Sequence, residues 1–217
     1  MPLSAIIFDL DGTLADTMDI CVEAYQHTMQ KYLDRWVPEE VIAAEFGRSE
    51  EGILGTFLPA VASNERLKEY LYHYRRLHQR VDEPFEGILA LLGSLQRRGL
   101  RIAIVTGKGE HSASISMAVL GLAPYIERLE FGHAAYNNKS ENIRRVLAEW
   151  GIDPAQVAYL GDMISDMHHA SEAGVLPLGA AWSRTATVLE NDGAAHVFYS
   201  VEDFRRWLEG ETSSNRL

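Results

Sequence analysis

Residues Ala5 to Thr17 read Ala-Ile-Ile-Phe-Asp-Leu-Asp-Gly-Thr-Leu-Ala-Asp-Thr, and the rest of the chain is read outward from this stretch. Ala5–Phe8 is an unbroken apolar run of strand length, the pattern of a strand buried on both faces of a parallel sheet. It ends in two carboxylates and a glycine. Open parallel sheets bind ligands at the carboxyl ends of their strands, so Asp9 and Asp11 stand at the edge where chemistry is expected. Their spacing of two puts both side chains on one side wherever the extended backbone persists. Like charges this close raise each other's pKa unless a cation or a shared proton offsets the repulsion. Gly12 permits a tight turn, and Thr13 supplies a hydroxyl to hold a carboxylate. A polar Asp-Gly turn closing an ordinary strand has the same local sequence, so the remaining segments must decide between the two.

Those segments fall into two kinds. From Met18 to Leu33, the apolar residues Ile20, Val22, Ala24, Tyr25, Met29 and Tyr32 recur at mostly helical spacing. Pro38 opens a further helical turn, and Phe46-Gly47-Arg48-Ser49 is a break in which Ser49 is placed to cap a helix over Glu50–Leu58. Glu65–Arg80 is a third long helical pattern. No strand signal interrupts these segments, so residues 17–81 are expected to form an all-helical subdomain inserted after the first strand. Asp82-Glu83-Pro84-Phe85-Glu86-Gly87 is linker chemistry that returns the chain to the core, residues 1–16 and 82–217. There, strands are expected at Arg101–Thr106, Leu129–Phe131, Val157–Leu160 and Val175–Leu178, the last strand foreseen. Helices are expected at Ile88–Arg98, His111–Leu120, Ser140–Trp150, Met167–Ala173 and Val201–Leu208, and a frayed tail over Glu211–Leu217. Alternating strands and helices specify an α/β fold, a Rossmann-like parallel sheet flanked by helices.

Composition bounds the function. The chain has 217 residues, 47% hydrophobic and 24% charged, which suits one substantial core with one inserted subdomain. No apolar run is long enough to span a bilayer, and the opening residues lack a basic segment followed by a long apolar one, so a cytoplasmic protein without membrane association is expected. Cys21 is the single cysteine, expected to be a small apolar helix residue in a reducing compartment. A net charge of −11 argues against a nucleic-acid partner. An anionic substrate would need positive charge concentrated locally.

Polar groups recur at later strand ends: Thr106-Gly107-Lys108, the loop holding Lys139, and Gly161-Asp162-Met163-Ile164-Ser165-Asp166. With these in place the chain resembles the haloacid dehalogenase superfamily, in its phosphoglycolate phosphatase-like branch with a helical cap. Asp9–Leu14 matches the first motif, Thr106 the second, Lys139 the third and Gly161–Asp166 the fourth, in order, and the resemblance spans about Ala5 to Leu208. It implies that Asp9 is a nucleophile forming an aspartyl-phosphate, and that Asp11 is the acid that protonates the leaving alcohol and then deprotonates water. Asp9, the backbone carbonyl of Asp11, and Asp162 would bind Mg²⁺, with Asp166 farther back or on a bound water. An acid in the first turn of a helix equally suits a cap, which is the other reading of Asp166. Thr106, Gly107 and Lys139 would bind the phosphoryl group.

The implied reaction is Mg²⁺-dependent hydrolysis of a small phosphorylated metabolite by a monomer or homodimer. Arg48, at a break in the cap, is a candidate reader of the leaving group. The loop after Lys139 departs from the phosphoglycolate phosphatase pattern, which leaves the individual substrate open. A phosphomutase resembling β-phosphoglucomutase and a pyrophosphatase share the acids. A dehalogenase needs neither Asp11 nor a metal, and a phospho-accepting receiver domain carries its acid on a middle strand; a non-catalytic binding module is the last alternative. Lys108 is expected at the surface, and Asp16-Thr17 as the cap of the helix leaving for the inserted subdomain. Of the adjacent His168 and His169, one is expected to be packed and the other solvated.

Overall fold

The computed structural model describes residues 3–188 and 190–210; the expected frayed tail lies outside them. Six strands form one sheet: β1 (Ala5–Phe8), β2 (Arg101–Val105), β3 (Arg128–Glu130), β4 (Val157–Gly161), β5 (Leu176–Ala180) and β6 (His196–Phe198). Their order is β3-β2-β1-β4-β5-β6 and every pairing is parallel. β1 is central. Its alternate residues face opposite layers, as a period of two requires. Ile6 and Phe8 join Ile102, Ile104 and Leu160 against α5 (Ile88–Arg97) and α9 (Val201–Leu208). Ala5 and Ile7 join Val105, Val157 and Tyr159 against α7 (Lys139–Trp150) and α8 (Ile164–Ala173). Both faces are covered, which is why these strands are apolar throughout.

Between β1 and β2 lie the inserted helices: α1 (Met18–Leu33), α2 (Glu39–Ala43), α3 (Glu50–Phe57) and α4 (Ser63–Leu77). They enclose an apolar cluster of their own that includes Ile20, Tyr25, Met29, Ile53, Leu54, Tyr70 and Tyr74. The outgoing and returning chains are tied together where Phe85 N–H donates to Leu14 O at 2.9 Å. Among the contacts that seat the insertion on the core, two lie at the start of α3. Ser49 N–H donates to His133 O at 3.1 Å. Glu50 accepts Gly109 N–H at 2.6 Å and the Ser112 hydroxyl, at the start of α6 (Glu110–Val119). Among the described residues, no helix is long and apolar enough to cross a membrane.

Several local expectations need correction. Thr17 precedes α1 but makes no side-chain cap bond; its hydroxyl donates to Asp11 Oδ1 at 2.5 Å instead. Ser49 likewise does not cap α3, because its hydroxyl is given to Glu51 at 2.7 Å. α8 starts at Ile164, ahead of the expected Met167. β6 lies beyond the last strand foreseen; it is three residues long, and its exposed first residue, His196, weakens the apolar signal.

The seating is tight at Gly52, where an added Cβ would lie 1.9 Å from the backbone oxygen of Ala134. Gly52→Ala is therefore expected to destabilise the fold by about 1–3 kcal/mol. It should also remove hydrogen-exchange protection at the Ser49 amide before that of β1; unchanged protection would show that the two parts are not held there.

Candidate active site

The site is built by register. Phe8 pairs with Ile104 and with Leu160, so the residues that follow these strands emerge at one edge. Asp9 continues β1, its N–H donating to Leu160 O at 2.9 Å, and its Oδ1 accepts Leu10 N–H at 2.8 Å. Two helices begin at the same edge. Lys139, the first residue of α7, places its Nζ 2.7 Å from Asp9 Oδ2 and 2.6 Å from Asp166 Oδ1. Its own N–H is held by Asn137 Oδ1 at 3.1 Å. Asp166, in the first turn of α8, also accepts Met163 N–H at 3.1 Å. The capping bond thus falls on Oδ2 and the Lys139 ammonium on Oδ1.

Asp9, Asp162 and Asp166 are all buried, and each offers an oxygen within 4.8 Å of the others. The Thr13 hydroxyl donates to Asp162 Oδ1 at 3.4 Å, while Asp162 Oδ2 is buried with no hydrogen-bond partner among the described residues. Gly12 makes room for this carboxylate: its φ is +74°, and a Cβ there would lie 2.2 Å from Asp162 Oδ2. Burial, before all else, pushes the Asp9 carboxyl up to about 7; Lys139 pulls against it and Asp166 reinforces it. Burial, then Asp166 and Asp9, hold Asp162 well above the usual carboxylate range. Burial works to lower the pKa of Lys139, but Asp166 and Asp9 outweigh it and keep the ammonium charged. An unpartnered buried carboxylate oxygen beside two further carboxylates is a donor set short of positive charge. All-oxygen donors of this kind fit a hard divalent cation.

These groups open into a cleft of about 150 Å³ between core and insertion. Asp9, Asp11, Thr106, Gly107, Lys139 and Asp162 line it from the core, and Arg48 from the insertion. Asp166 stands behind them, fully buried. The structure thus brings the expected core residues to one edge. Arg48 is kept apart, its guanidinium donating to Glu45 and, at 3.0 Å, to the Thr56 hydroxyl. Thr106 Oγ1 accepts Lys108 N–H at 3.2 Å.

Lys108 corrects the sequence reading. It is buried, not at the surface, with Nζ 3.4 Å from Asp11 Oδ1 and 3.1 Å from Cys21 Sγ. The signal lay in its position two residues beyond Thr106, but its burial depends on α1 and α4 lying over it. Cys21 is buried on α1 as expected, and also lines the cleft; burial and then Asp11 push its thiol up to about 12, so it stays neutral. His168 is exposed and His169 half-buried, as foreseen for that pair.

The profile of the haloacid dehalogenase-like hydrolases matches residues 6–180, and the chain belongs to that family. It is 30% identical over 183 residues to a phosphoglycolate phosphatase of Cupriavidus necator, covering 81% of this chain and 79% of that protein. It is 27% identical over 183 residues to the pyrophosphatase PpaX of Bacillus pumilus, covering 83% and 84%. In fold it is similar to CbbY from Rhodobacter sphaeroides, solved in complex with phosphate, with a TM-score of 0.77 at 19% identity over 91% of this chain and 94% of that one. The protein is an enzyme of the phosphatase kind, with a helical cap inserted between β1 and β2.

The acid cluster gives a pH-dependent prediction. Without metal, folded Asp9 keeps its proton up to about 7, whereas the unfolded chain releases it near 3.8. Below the lower value both states hold the proton; above it the folded state is increasingly disfavoured, so metal-free stability falls as pH rises through this window. Added Mg²⁺ should therefore raise Tm more at about pH 8 than at about pH 5. Asp162→Asn should raise the metal-free Tm by a few degrees at the higher pH and abolish the Mg²⁺ response. Equal Mg²⁺ shifts at both pH values would contradict this account.

Proposed function

We propose that this protein hydrolyses a small phosphomonoester with Mg²⁺, through an aspartyl-phosphate on Asp9. The observation that carries the reading is the convergence of Asp9, Asp162 and Asp166 around Lys139, at the strand edge from which Asp11 also projects. An Asp9 carboxylate oxygen attacks phosphorus, and the bond from phosphorus to the leaving oxygen breaks. Asp11 gives that oxygen a proton, then takes one from the water that attacks the phosphoenzyme, releasing inorganic phosphate and restoring both acids. The Thr17 hydroxyl on Asp11 Oδ1 holds the carboxyl in place for both transfers. Thr106, Gly107 and Lys139 bind the phosphoryl oxygens, which is most of what such a transfer asks of a protein. Asp9, the Asp11 carbonyl and Asp162 would hold the cation, with Asp166 behind them anchoring Lys139. When bound, Mg²⁺ offsets the charge of the carboxylates and of the incoming phosphate.

The relatives named as phosphoglycolate phosphatase and pyrophosphatase carry small phosphorylated compounds in their names, and the cleft of about 150 Å³ favours a substrate on that scale here. Arg48, at the mouth, is assigned a role in admitting the leaving group.

Asp9→Asn should lower kcat by at least about 10³-fold, and chelation should abolish turnover until Mg²⁺ is restored. An Asp9→Asn variant at the wild-type rate would sink the mechanism. Arg48→Ala should change kcat/KM for physiological-type substrates more than for a small aryl phosphate. An equal effect on both would remove Arg48 from recognition.

A further inference from the structure

The cleft is lined by two buried donors that the chemistry above does not employ. Tyr70, on α4, is fully buried and lines the cleft, and its Oη has no hydrogen-bond partner among the described residues. The ring is fixed between Tyr25, with centroids 4.5 Å apart, and Tyr74, at 5.7 Å. Tyr74 satisfies its own hydroxyl on Ser116 Oγ at 2.8 Å, so only one of these two stacked phenols is left open.

Lys108 is the second donor. Its nearest carboxylate oxygen is Asp11 Oδ1 at 3.4 Å, and its other neighbours are the Cys21 thiol and the Tyr74 ring, whose centroid is 4.2 Å away. Sulfur and a ring face are weak acceptors for an ammonium. Lys139, by contrast, has carboxylate oxygens at 2.6 and 2.7 Å. The nearby acids are already engaged: Glu50 accepts from Gly109 N–H and the Ser112 hydroxyl, and Asp11 Oδ1 from Thr17. Burying a phenol with no acceptor, and an ammonium with no short oxygen contact, is costly unless a guest supplies the oxygens.

We propose that Tyr70 and Lys108 form the subsite that reads the leaving group, and that the substrate class is a compact phosphate compound whose leaving group bears a second anionic oxygen group, carboxylate or phosphate. This rests on the hydrolase reading above. Compactness follows from the cleft, which has about the volume that admits a benzene-sized guest. The anionic group follows from the donors: an ammonium and a phenol O–H both lacking a short oxygen partner call for acceptor oxygens, in a cleft whose lining also includes Tyr25, Phe46 and Ile53. In a chain of net charge −11, Lys108 supplies the positive charge such a leaving group needs. Lys108 comes from the core and Tyr70 from the cap, so one guest joins the two parts.

The test compares kcat/KM, with Mg²⁺, for phosphoglycolate, pyrophosphate and hydroxyethyl phosphate, the last of similar length with a neutral distal hydroxyl. The wild-type enzyme should prefer one anionic substrate over hydroxyethyl phosphate by on the order of 100-fold, and which one tells carboxylate from phosphate. Tyr70→Phe should cut that preference by about 10-fold, and Lys108→Met by more. A preference near unity in wild type, or one unchanged in a Tyr70→Phe protein of wild-type Tm, would overturn the subsite while leaving the hydrolase reading intact. Phosphate release from none of the three would overturn the hydrolase reading and the subsite with it.

Discussion

Three buried carboxylates meeting at the end of one sheet is the constraint that the rest of this structure accommodates. Asp9, Asp162 and Asp166 have oxygens within 4.8 Å of one another, and a single ammonium, Lys139, touches two of them. One positive charge does not balance three negative ones in a desolvated place, and burial first, then the neighbouring carboxylates, raise the pKa values of Asp9 and Asp162. The fold tolerates this because the acids come from separate rigid elements. β1 supplies one, the turn after β4 another, and α8 the third, each held by backbone–backbone hydrogen bonds that do not depend on the charges. Strain confined to such a cluster would be relieved by a cation, so the same repulsion that weakens the metal-free protein would favour a metal there.

The cap is held by a different kind of contact. Its own apolar cluster makes it a body with internal cohesion, while its attachment to the core includes directional polar contacts at Ser49, Glu50 and Tyr74. Glu50 accepts the N–H of Gly109, the residue just before α6, where a carboxylate is favoured by the helix dipole. Burial nonetheless raises its pKa, with Lys108 and the Ser112 hydroxyl opposing that rise. A contact of this sort is directional and can be released without unfolding either partner, which an apolar interface of the same size would resist. Cohesion within each part and polarity between them suit a cleft that must admit a substrate and then exclude water.

Much of this was legible in the sequence because it follows from periodicity. The apolar runs of β1, β2 and β4 are buried on both faces, so they stand out from the helical spacing around them, and the glycines after α7 and α8 end those helices as their sequence suggests. Asp9, Thr106, Lys139 and Asp162 could be placed together since a parallel sheet with right-handed connections sends every strand end to one edge. What could not be read depends on contacts distant along the chain. Lys108 follows a strand end, where lysine is ordinarily solvated, and only α1 and α4 lying over it bury it. Thr17 has the composition of a helix cap, but the turn at Gly12 brings Asp11 within reach, and the hydroxyl is oriented to donate to that carboxyl and makes no cap bond.

The division between core and cap also explains why the two lysines differ. Lys139 is wholly a core residue, fixed by two acids that belong to the core. Lys108 has its backbone in the core but its ammonium against Cys21 of α1 and Tyr74 of α4, so its burial is conditional on the cap. With the cap lifted, its charge would return to water at little cost. With the cap seated it is desolvated, and a ligand oxygen there gains far more from it than at an exposed lysine. Recognition by Lys108 and closure of the cap are then one equilibrium: whatever pairs with the buried ammonium stabilises the seated cap by the same free energy with which the seated cap strengthens the pairing.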